Sequence, residues 1–527
     1  MDYRDEVIAA ARESATEVDP HALAHRGLME RVKLLVGLAI LDLAPAASAA
    51  PFLDALERRQ LRSGLFAGGD NVESPPDSAF TAGDVCDALE IIRRHPSAAL
   101  DPIGARLELI ADHLEPPLLV GGVHTPNHRW EISAALARLH RRRPSGALVD
   151  RIDAWLAEGV DIDADGMYSE RSPNYAAFVT NPSLTVIAEI LGRPDLDAIV
   201  QRNLAATLPL IRADGTVETV HSRRQDQGRR FSAAAYITAF RRAALRTGDG
   251  RFAWAAEVAR SEGIAHPATA LAELLLEPQL AQPLPRAVAP VSAVHRYAAS
   301  SLVVDRSEVR TLVVYGGSDH ARAGRIRSGL ANDPTFLRLL GDDVALESVR
   351  LSRTFFGLGP FRAQRLDGMR LQETVAAWYY QPLGSAGALD LEDEGRFSAE
   401  MSFSRRAADR VEMTTTIDVE PTTTGARVVI DVAGPIAPWA LELAFSPGGA
   451  FEGLADDGRF GSAAVRYQHG GQAIVFRADG ESAADAPAAY HPGEEYAYLG
   501  GSDAVAAPRA YLTGWSPGRR VVELRVE

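Results

Sequence analysis

The chain has 527 residues, a formal net charge of −15 at pH 7, and 46% hydrophobic and 24% charged residues. That length suits two to four domains, and the composition excludes disorder, collagen and coiled coil as descriptions of the whole chain. Cys86 is the only cysteine, so an intrachain disulfide, a CxxC zinc site and an iron–sulfur cluster are excluded. The acidic charge argues against nucleic acid as a partner, because binding to phosphates needs clustered cations.

The N-terminal region shows no targeting signal. Its first residues include acids and contain no long apolar run, unlike a signal peptide. The most apolar early stretch, Leu34 to Pro45, is shorter than the ~20 residues that span a bilayer. We therefore expect a cytoplasmic protein with no membrane partner. A homo-oligomer is compatible with the sequence, which does not fix the oligomeric state.

Up to about residue 275, apolar residues recur at three- and four-residue spacing, which is typical of amphipathic helices. The helices that this spacing predicts are Glu30–Leu43, Pro51–Arg62, Phe80–Arg94, Pro126–Arg142, Leu148–Glu158, Pro182–Leu191, Leu196–Ile211, Phe231–Arg246 and Ala253–Glu262. Turn signals such as Asp165-Gly166 and Asp214-Gly215 separate them. The pattern indicates a stack of helical hairpins.

A proline-rich segment, LEPQLAQPLPRAVAPV at 276–291, marks the best domain boundary, because proline stops helices. Beyond it the apolar period is two. The strands that this period predicts are Ser301–Val304, Val309–Tyr315, Leu371–Tyr380, Phe397–Phe403, Val411–Val419, Ala426–Val432, Trp439–Phe445, Ala463–His469, Ala473–Arg477 and Val521–Val526. Many short strands between turn residues predict an antiparallel β-sandwich. We expect a helical catalytic domain over 1–280 and a β-sandwich domain over 291–527.

The first candidate site segment begins a predicted helix. Thr125 and Pro126 read as an N-cap and a first helical position, which places Asn127 and His128 in the first turn. Free backbone N–H groups at such a turn suit a carboxylate. His128 and Glu131 share one helical face. The structural alternative is a capped helix with a packed Trp130 and polar surface residues.

The second segment, 165–175, ends with the same pattern of residue types as the first. Ser172, Pro173, Asn174 and Tyr175 again give a cap, a proline, an asparagine and a ring that can move a proton. Cationic neighbours favour the phenolate form of a tyrosine and so make it a usable base. The alternative is a structural tyrosine at a loop–helix junction.

The third segment is basic. Residues 221–230 read HSRRQDQGRR and carry a net charge of +3 inside a strongly acidic chain. Arginine forks match carboxylates, so His221, Arg223 and Arg224 are candidates for substrate binding. A solvated basic loop is the alternative.

The fourth segment follows a predicted strand of the β half. Gly316, Gly317 and His320 precede Arg322, and Arg325, Arg327 and Asn332 come shortly after. Glycines beside a histidine are expected where a loop approaches a ligand. His320 is a candidate catalytic residue and Arg322 a candidate substrate-binding residue.

The combination of Asn127-His128 with Glu131, the 165–175 segment ending at Tyr175, and the glycine–histidine stretch at 316–320 resembles the polysaccharide lyases of the heparinase II/III type. That resemblance implies an incomplete α/α toroid followed by an antiparallel β-sandwich. It further implies a uronate-containing oligosaccharide as substrate. Such lyases carry a second histidine and an aspartate for a structural metal in the β-domain motif. Residues 317–330 lack that second histidine, so we predict no metal and no firm cofactor.

Uronate lyases remove the C5 proton, α to a carboxylate, and expel the C4 oxygen to leave an unsaturated sugar. In this chain Asn127, with Arg223 or Arg224, would neutralise the carboxylate. Tyr175 would protonate the leaving oxygen and, in a syn elimination, also act as the base. His128 or His320 would be the base on the opposite face. Glu131 would orient His128, and Trp130 and His221 complete the substrate-binding candidates.

Three other functions remain open on the sequence. A uronate C5-epimerase abstracts the same proton and returns it to the other face. An α/α-toroid glycoside hydrolase would use two carboxyl groups, for which Glu131, Asp165 and Glu170 are available. A non-catalytic carbohydrate-binding protein is favoured if Asn127, His128 and Tyr175 do not converge. The absent leader and the charge favour short oligosaccharides or exolytic cleavage.

Overall fold

A computed structural model describes residues 2–323, 329–384, 403–494, 496 and 505–527. The chain divides into two compact units, Met1–Pro290 and Val291–Glu527. The predicted fold class, a helical toroid followed by an antiparallel β domain, is confirmed.

The first unit consists of α-helices and one small hairpin. The helices are α1 (Tyr3–Ser14), α2 (His25–Ile40), α3 (Ala50–Arg59), α4 (Pro75–Arg94), α5 (Asp101–Val120), α6 (Pro126–Arg142), α7 (Gly146–Leu156), α8 (Pro173–Tyr175), α9 (Asn181–Leu191), α10 (Pro194–Thr207), α11 (Ile237–Thr247), α12 (Gly250–Ser261) and α13 (Pro267–Leu276). The hairpin is β1 (Phe66–Gly68) with β2 (Asn71–Ser74).

The inner helices pack in a ring. Helix α13 lies against α2, α2 against α4, α4 against α6 and α6 against α9. A π-helical turn at Ala176–Thr180 joins α8 to α9, and it contacts the 3₁₀ turn Ala233–Tyr236 that leads into α11. Buried alanines, such as Ala134 and Ala135 of α6, let these helices approach closely. The ring therefore encloses a central space, which we call the bore.

The second unit is built on antiparallel strands. They are β3 (Ala293–Tyr297), β4 (Leu302–Arg306), β5 (Thr311–Tyr315), β6 (Leu337–Leu340), β7 (Ala345–Arg353), β8 (Arg365–Asp367), β9 (Arg370–Tyr380), β10 (Ala408–Pro421), β11 (Gly425–Phe445), β12 (Ala450–Glu452), β13 (Val465–His469), β14 (Gln472–Ala478) and β15 (Arg509–Val526). A short helix, α14 (His320–Ala323), follows β5.

The order within the described sheet is β12-β13-β14-β15-β11-β7-β6-β5-β4-β3. A branch leaves this order at β11, where β10 pairs with β11, β9 with β10 and β8 with β9. The two predicted strands Ala426–Val432 and Trp439–Phe445 are parts of one strand, β11, whose pairing with β15 shifts register between Val432 and Ala437. Of the predicted strand Phe397–Phe403, only Phe403 lies within the described residues, and it begins a 3₁₀ turn. Apolar side chains from both halves of β11 fill the core.

Candidate active site

The start of α6 places Asn127 in the interior. Thr125 has the extended backbone of an N-cap, but its hydroxyl donates to Asn127 Oδ1 at 3.1 Å instead of capping the helix. Asn127 is buried, and its Nδ2 completes no hydrogen bond of regular geometry within the described residues, although its side chain interacts with the Glu170 carboxyl and lowers the pKa of that group. A buried amide donor without an acceptor is costly unless a ligand or water supplies one. Asn127 is therefore available to donate to a bound group.

Helix α8 starts in the way that the sequence predicts. The Ser172 hydroxyl accepts a hydrogen bond from Tyr175 N at 3.2 Å, which is a regular N-cap, and Pro173 occupies the first helical position. The chain continues through the π-helical turn at Ala176–Thr180 before α9 begins. Tyr175 is half-buried at this junction. The local geometry thus places Tyr175 just before the helical segment that continues into α9.

Asp226 ties the basic segment to the start of α8. Its carboxylate accepts from the hydroxyls of Ser172, at 2.8 Å, and Ser222, at 2.5 Å, and from the backbone N–H of Asn174 at 3.2 Å. One carboxylate therefore fixes the distance between Tyr175 and the 222–226 turn. The sequence analysis did not single out Asp226, although a lone acid among four arginines was the available signal.

Arg224 is the residue that joins the two segments. Its Nη2 donates to Tyr175 Oη at 3.0 Å, and its guanidinium lies 4.3 Å from the centre of the Tyr175 ring. Its Nη1 lies 3.2 Å from Glu170 Oε1. Tyr175 Oη in turn donates to Gln225 Oε1 at 3.3 Å. A fixed cation therefore faces the phenol oxygen, where it stabilises any negative charge that develops there.

Glu170 lies behind Arg224. Burial raises the pKa of its carboxyl to about 7, while Arg224 and the nearby Asn127 side chain act in the opposite direction. Glu170 Oε1 faces the Arg224 guanidinium without completing a hydrogen bond in the described part of the chain. Asn127, Glu170, Arg224 and Tyr175 therefore form one connected group, which we call the polar cluster.

His128 lies at the edge of this cluster. Its ring packs edge-on against His124, with ring centres 4.7 Å apart. Burial, followed by the electrostatic effect of the neighbouring His124, lowers the pKa of His128 to about 4, and Arg224 contributes in the same direction. The imidazole is accordingly neutral at pH 7 and able to accept a proton.

Two predictions for α6 are wrong. Trp130 has 0% exposure, and its Nε1 donates to Asp161 at 3.1 Å, so the ring has no surface for a sugar. Glu131 faces the bore, where its Oε2 accepts from the Ser183 hydroxyl at 3.0 Å, and so it does not orient His128. The i, i+3 spacing placed His128 and Glu131 near one another, but the helix turns Glu131 inward.

The basic segment also divides differently from the prediction. His221 is 1% exposed and lines a small cavity with Tyr236, and its role in substrate binding stays a prediction. Arg223 donates from Nη1 to the Ser169 carbonyl at 3.0 Å and from its backbone to the Glu170 carbonyl. It thereby holds the 165–175 segment in place. Arg224 is the arginine that reaches Tyr175.

The β unit holds the remaining predicted residues. His320 begins α14, and burial, with Arg362 acting in the same direction, lowers its pKa to about 4. Arg322 is exposed on the same helix. Asn332 is buried, and its carbonyl accepts from the Arg362 guanidinium at 2.9 Å. Arg325 and Arg327 lie outside the described residues.

Neither a metal site nor a membrane helix is found in the described ranges. No group of three or more His, Cys, Asp or Glu side chains is arranged there to hold a metal ion. None of the helices described combines the length and the apolar character that crossing a bilayer requires.

Comparison with known proteins finds similarity in structure alone. No family model matches the sequence, and no curated protein matches it. Heparinase III has the same fold, with a TM-score of 0.60 and 11% identity over 95% of this chain and 76% of that one. A mutant chondroitin AC lyase from Streptomyces coelicolor A3 aligns over 99% of this chain and 78% of its own, with 12% identity and a TM-score of 0.48. The chain thus has a fold like that of heparinase III.

Proposed function

We propose that this protein is a uronate lyase that cleaves a 1,4-glycosidic bond by β-elimination. The observation that carries the proposal is the polar cluster, in which Arg224 bonds Tyr175 Oη and the buried Asn127 amide, apart from its interaction with Glu170, completes no regular hydrogen bond within the described residues. A polysaccharide lyase fold accompanies it. Uronate oligosaccharides fit as substrates, because the cluster combines a cation, an amide group that can donate to a carboxylate, and a proton donor.

The elimination begins with the substrate carboxylate. Removal of the C5 proton pushes electron density onto this carboxylate, so donors fixed beforehand lower the barrier most. The Asn127 amide fills this role, helped by the positive end of the helix dipole at the start of α6. Each such donor contributes about 3–4 kcal/mol in comparable anion sites.

Proton transfer then involves Tyr175 and a base. The C5–H bond breaks, its electrons form the C4=C5 double bond, and the C4–O bond breaks as Tyr175 gives its proton to the leaving oxygen. The base on the opposite face is His128, whose ring is neutral at pH 7. Where the proton lies on the same face, Tyr175 is base and acid in turn, with Arg224 stabilising the phenolate.

One observation favours a second candidate, an α/α-toroid glycoside hydrolase. Glu170 has a pKa of about 7, so a large fraction of it holds a proton at neutral pH, as a general acid must. A hydrolase also needs a second carboxylate. Asp226, the acid that reaches the start of α8, is already occupied by Ser172 and Ser222. The lyase accounts for more of the cluster.

The test is the product. Glucuronate-containing glycosaminoglycan oligosaccharides, alginate oligomers and rhamnosyl-glucuronate fragments are incubated with the protein and followed by ultraviolet absorbance and mass spectrometry. A lyase yields a conjugated double bond without added water. A hydrolase yields products whose summed mass exceeds that of the substrate by one water. An epimerase leaves the mass of the substrate unchanged, and a binding protein leaves the substrate itself unchanged. Each of these outcomes contradicts the proposal.

A further inference from the structure

The bore of the helical unit is a second structured cavity directly beside Tyr175. It has a volume of about 580 Å³ and is lined by residues of α2, α4, α6, α9, α11 and α13. Tyr175 and Asn174 are part of its wall. That volume lies within the range of small-molecule sites. The elimination proposed above does not use this space.

The two ends of the bore differ. Arg26, Glu30 and Lys33 follow one stripe of α2, so the cavity extends roughly 10 Å along that helix at 1.5 Å per residue. The Arg26 side chain is 42% exposed, whereas that of Lys33 is 3% exposed and pairs with Asp84. The wall of the bore is therefore exposed at the Arg26 end, whereas toward the Lys33 end it carries the ion pairs Lys33–Asp84, Arg138–Asp87 and Arg242–Glu273.

Aromatic side chains surround the open end. Phe80, Tyr175 and Phe178 are all half-buried and line the cavity there. Arg26 lies 3.8 Å from the centre of the Phe80 ring. Arg26 covers one face of Phe80 and Arg224 one face of Tyr175, so the remaining exposed ring surface is what can contact the C–H surface of a sugar. This rim suits a saccharide better than an aliphatic ligand.

Glu131 lies inside the bore without an ion-pair partner among the residues that the structure describes. It is 8% exposed, and its one hydrogen bond there comes from the neutral Ser183 hydroxyl. Burial raises the pKa of Glu131 to about 7, and Arg138 only partly offsets this. A buried carboxyl that is not neutralised is costly, and sugar hydroxyls are suitable donors for it.

We propose that the bore is a closed-ended pocket for the terminal sugar of the oligosaccharide, with Phe80 and Phe178 contacting its faces and Glu131 with Ser183 binding its hydroxyls. This inference rests on the proposed lyase function. The uronate lies at the polar cluster and its terminal neighbour enters the bore past Tyr175. Because a chain cannot thread through a closed-ended pocket, cleavage is exolytic.

The test separates binding from turnover. Ala235 lines the bore and is not fully buried, so Ala235→Trp fills the cavity, and Glu131→Gln removes the carboxylate at nearly constant volume. Ala105→Trp on the exposed face of α5 is the matched control. Binding of a glucuronate-containing tetrasaccharide and of an alginate tetrasaccharide is measured by calorimetry in the Tyr175→Phe background, after thermal melting has shown that each variant folds.

We expect Ala235→Trp to weaken binding at least about 30-fold and Glu131→Gln about 10-fold, the effect of losing one charged hydrogen bond. Ala105→Trp should stay within about 2-fold. The wild-type enzyme should shorten an end-labelled decasaccharide by removing one terminal unit at a time. If Ala235→Trp does not fold, Glu131→Gln and the cleavage pattern decide.

The outcomes distinguish the two proposals. Unsaturated products released from mid-chain, or binding unaffected by both bore variants, overturn the pocket and leave the lyase intact. Binding that depends on the bore without any unsaturated product overturns the lyase and leaves the pocket. If neither tetrasaccharide binds, the pocket is wrong.

Discussion

The two units each contain a tyrosine, an arginine and a glutamate in contact, with opposite arrangements. In the helical unit Arg224 donates to Tyr175 Oη, and Glu170 stands behind the arginine. In the β unit Tyr511 donates to Glu442 Oε2 at 2.9 Å, and Arg350 binds Oε1 of the same carboxylate at 2.7 Å. The tyrosine thus meets a cation in one unit and an anion in the other.

This difference decides what each tyrosine can do. Burial, together with the charge and hydrogen bond of Glu442, raises the pKa of Tyr511 to about 12, so it keeps its proton and holds the sheet together. Tyr175 Oη instead accepts a hydrogen bond from the Arg224 guanidinium. The same residue types therefore make a structural network on β11 and β15 and, in the proposed lyase, a reactive one at the start of α8.

The most direct test of this difference between the two tyrosines is to remove each phenol hydroxyl in a separate variant. Tyr175→Phe should lower kcat by about 10³-fold, since positioned proton transfer contributes about 10²–10⁴-fold. Tyr511→Phe should leave kcat within about 2-fold and lower the free energy of unfolding by about 1–2 kcal/mol, because Glu442 loses a donor. Initial rates of ultraviolet absorbance and urea unfolding measure the two effects. Equal losses of kcat would contradict the distinction.

The helix starts were predictable because their signals are local. Thr125-Pro126 and Ser172-Pro173 predict where α6 and α8 begin, and the range Pro126–Arg142 agrees with the structure at both ends. Helix α5 was not predicted, since Pro116 and Pro117 lie inside it, and proline usually ends a helix. Helix α13 was also missed, close to the proline-rich boundary.

Long-range pairing was the part that the sequence concealed. Strand β7 reads as polar because of Arg350 and Arg353, yet both are buried against Glu442 and Glu373 from other strands. Asp226 likewise gains its meaning from Ser172, fifty-four residues away. Such partners depend on the tertiary fold, which no local period encodes.

Replacing the arginine of each network, Arg224 or Arg350, tests the same difference between the two units. Arg224→Met removes a donor from Tyr175, and kcat should fall about 10²-fold, the usual cost of one fixed donor. Its effect on the free energy of unfolding should be modest, because Glu170, with a pKa of about 7, can take up a proton when its partner is lost. Unsaturated-product rates and urea unfolding at pH 7 test this.

Arg350→Met is the control in the β unit. Glu442 is completely buried and would lose its main cation, so the free energy of unfolding should fall by about 3–5 kcal/mol. The kcat of the remaining folded protein should be unchanged. A variant of Arg350 that folds well but turns over slowly would place the β network in the reaction.

A further prediction concerns the pH dependence of stability. The folded-state pKa of Glu170, about 7, lies above its ordinary value of 4.5. The native state therefore binds more protons than the unfolded state between these values, and its stability falls as the pH rises through this window. Glu170→Gln removes that dependence, so its free energy of unfolding relative to wild type should rise by up to about 3 kcal/mol from pH 4.5 to pH 7.5.

Urea unfolding at both pH values measures the change, and Glu158→Gln, at an exposed position, controls for the loss of one carboxylate. A difference in stability between wild type and Glu170→Gln that is the same at both pH values would mean that Glu170 is already ionised at pH 4.5. Arg224 would then be committed to Glu170 as firmly as Arg350 is to Glu442. A guanidinium held in that way has less positive charge to offer the Tyr175 oxygen, and the contrast between the two networks would narrow accordingly.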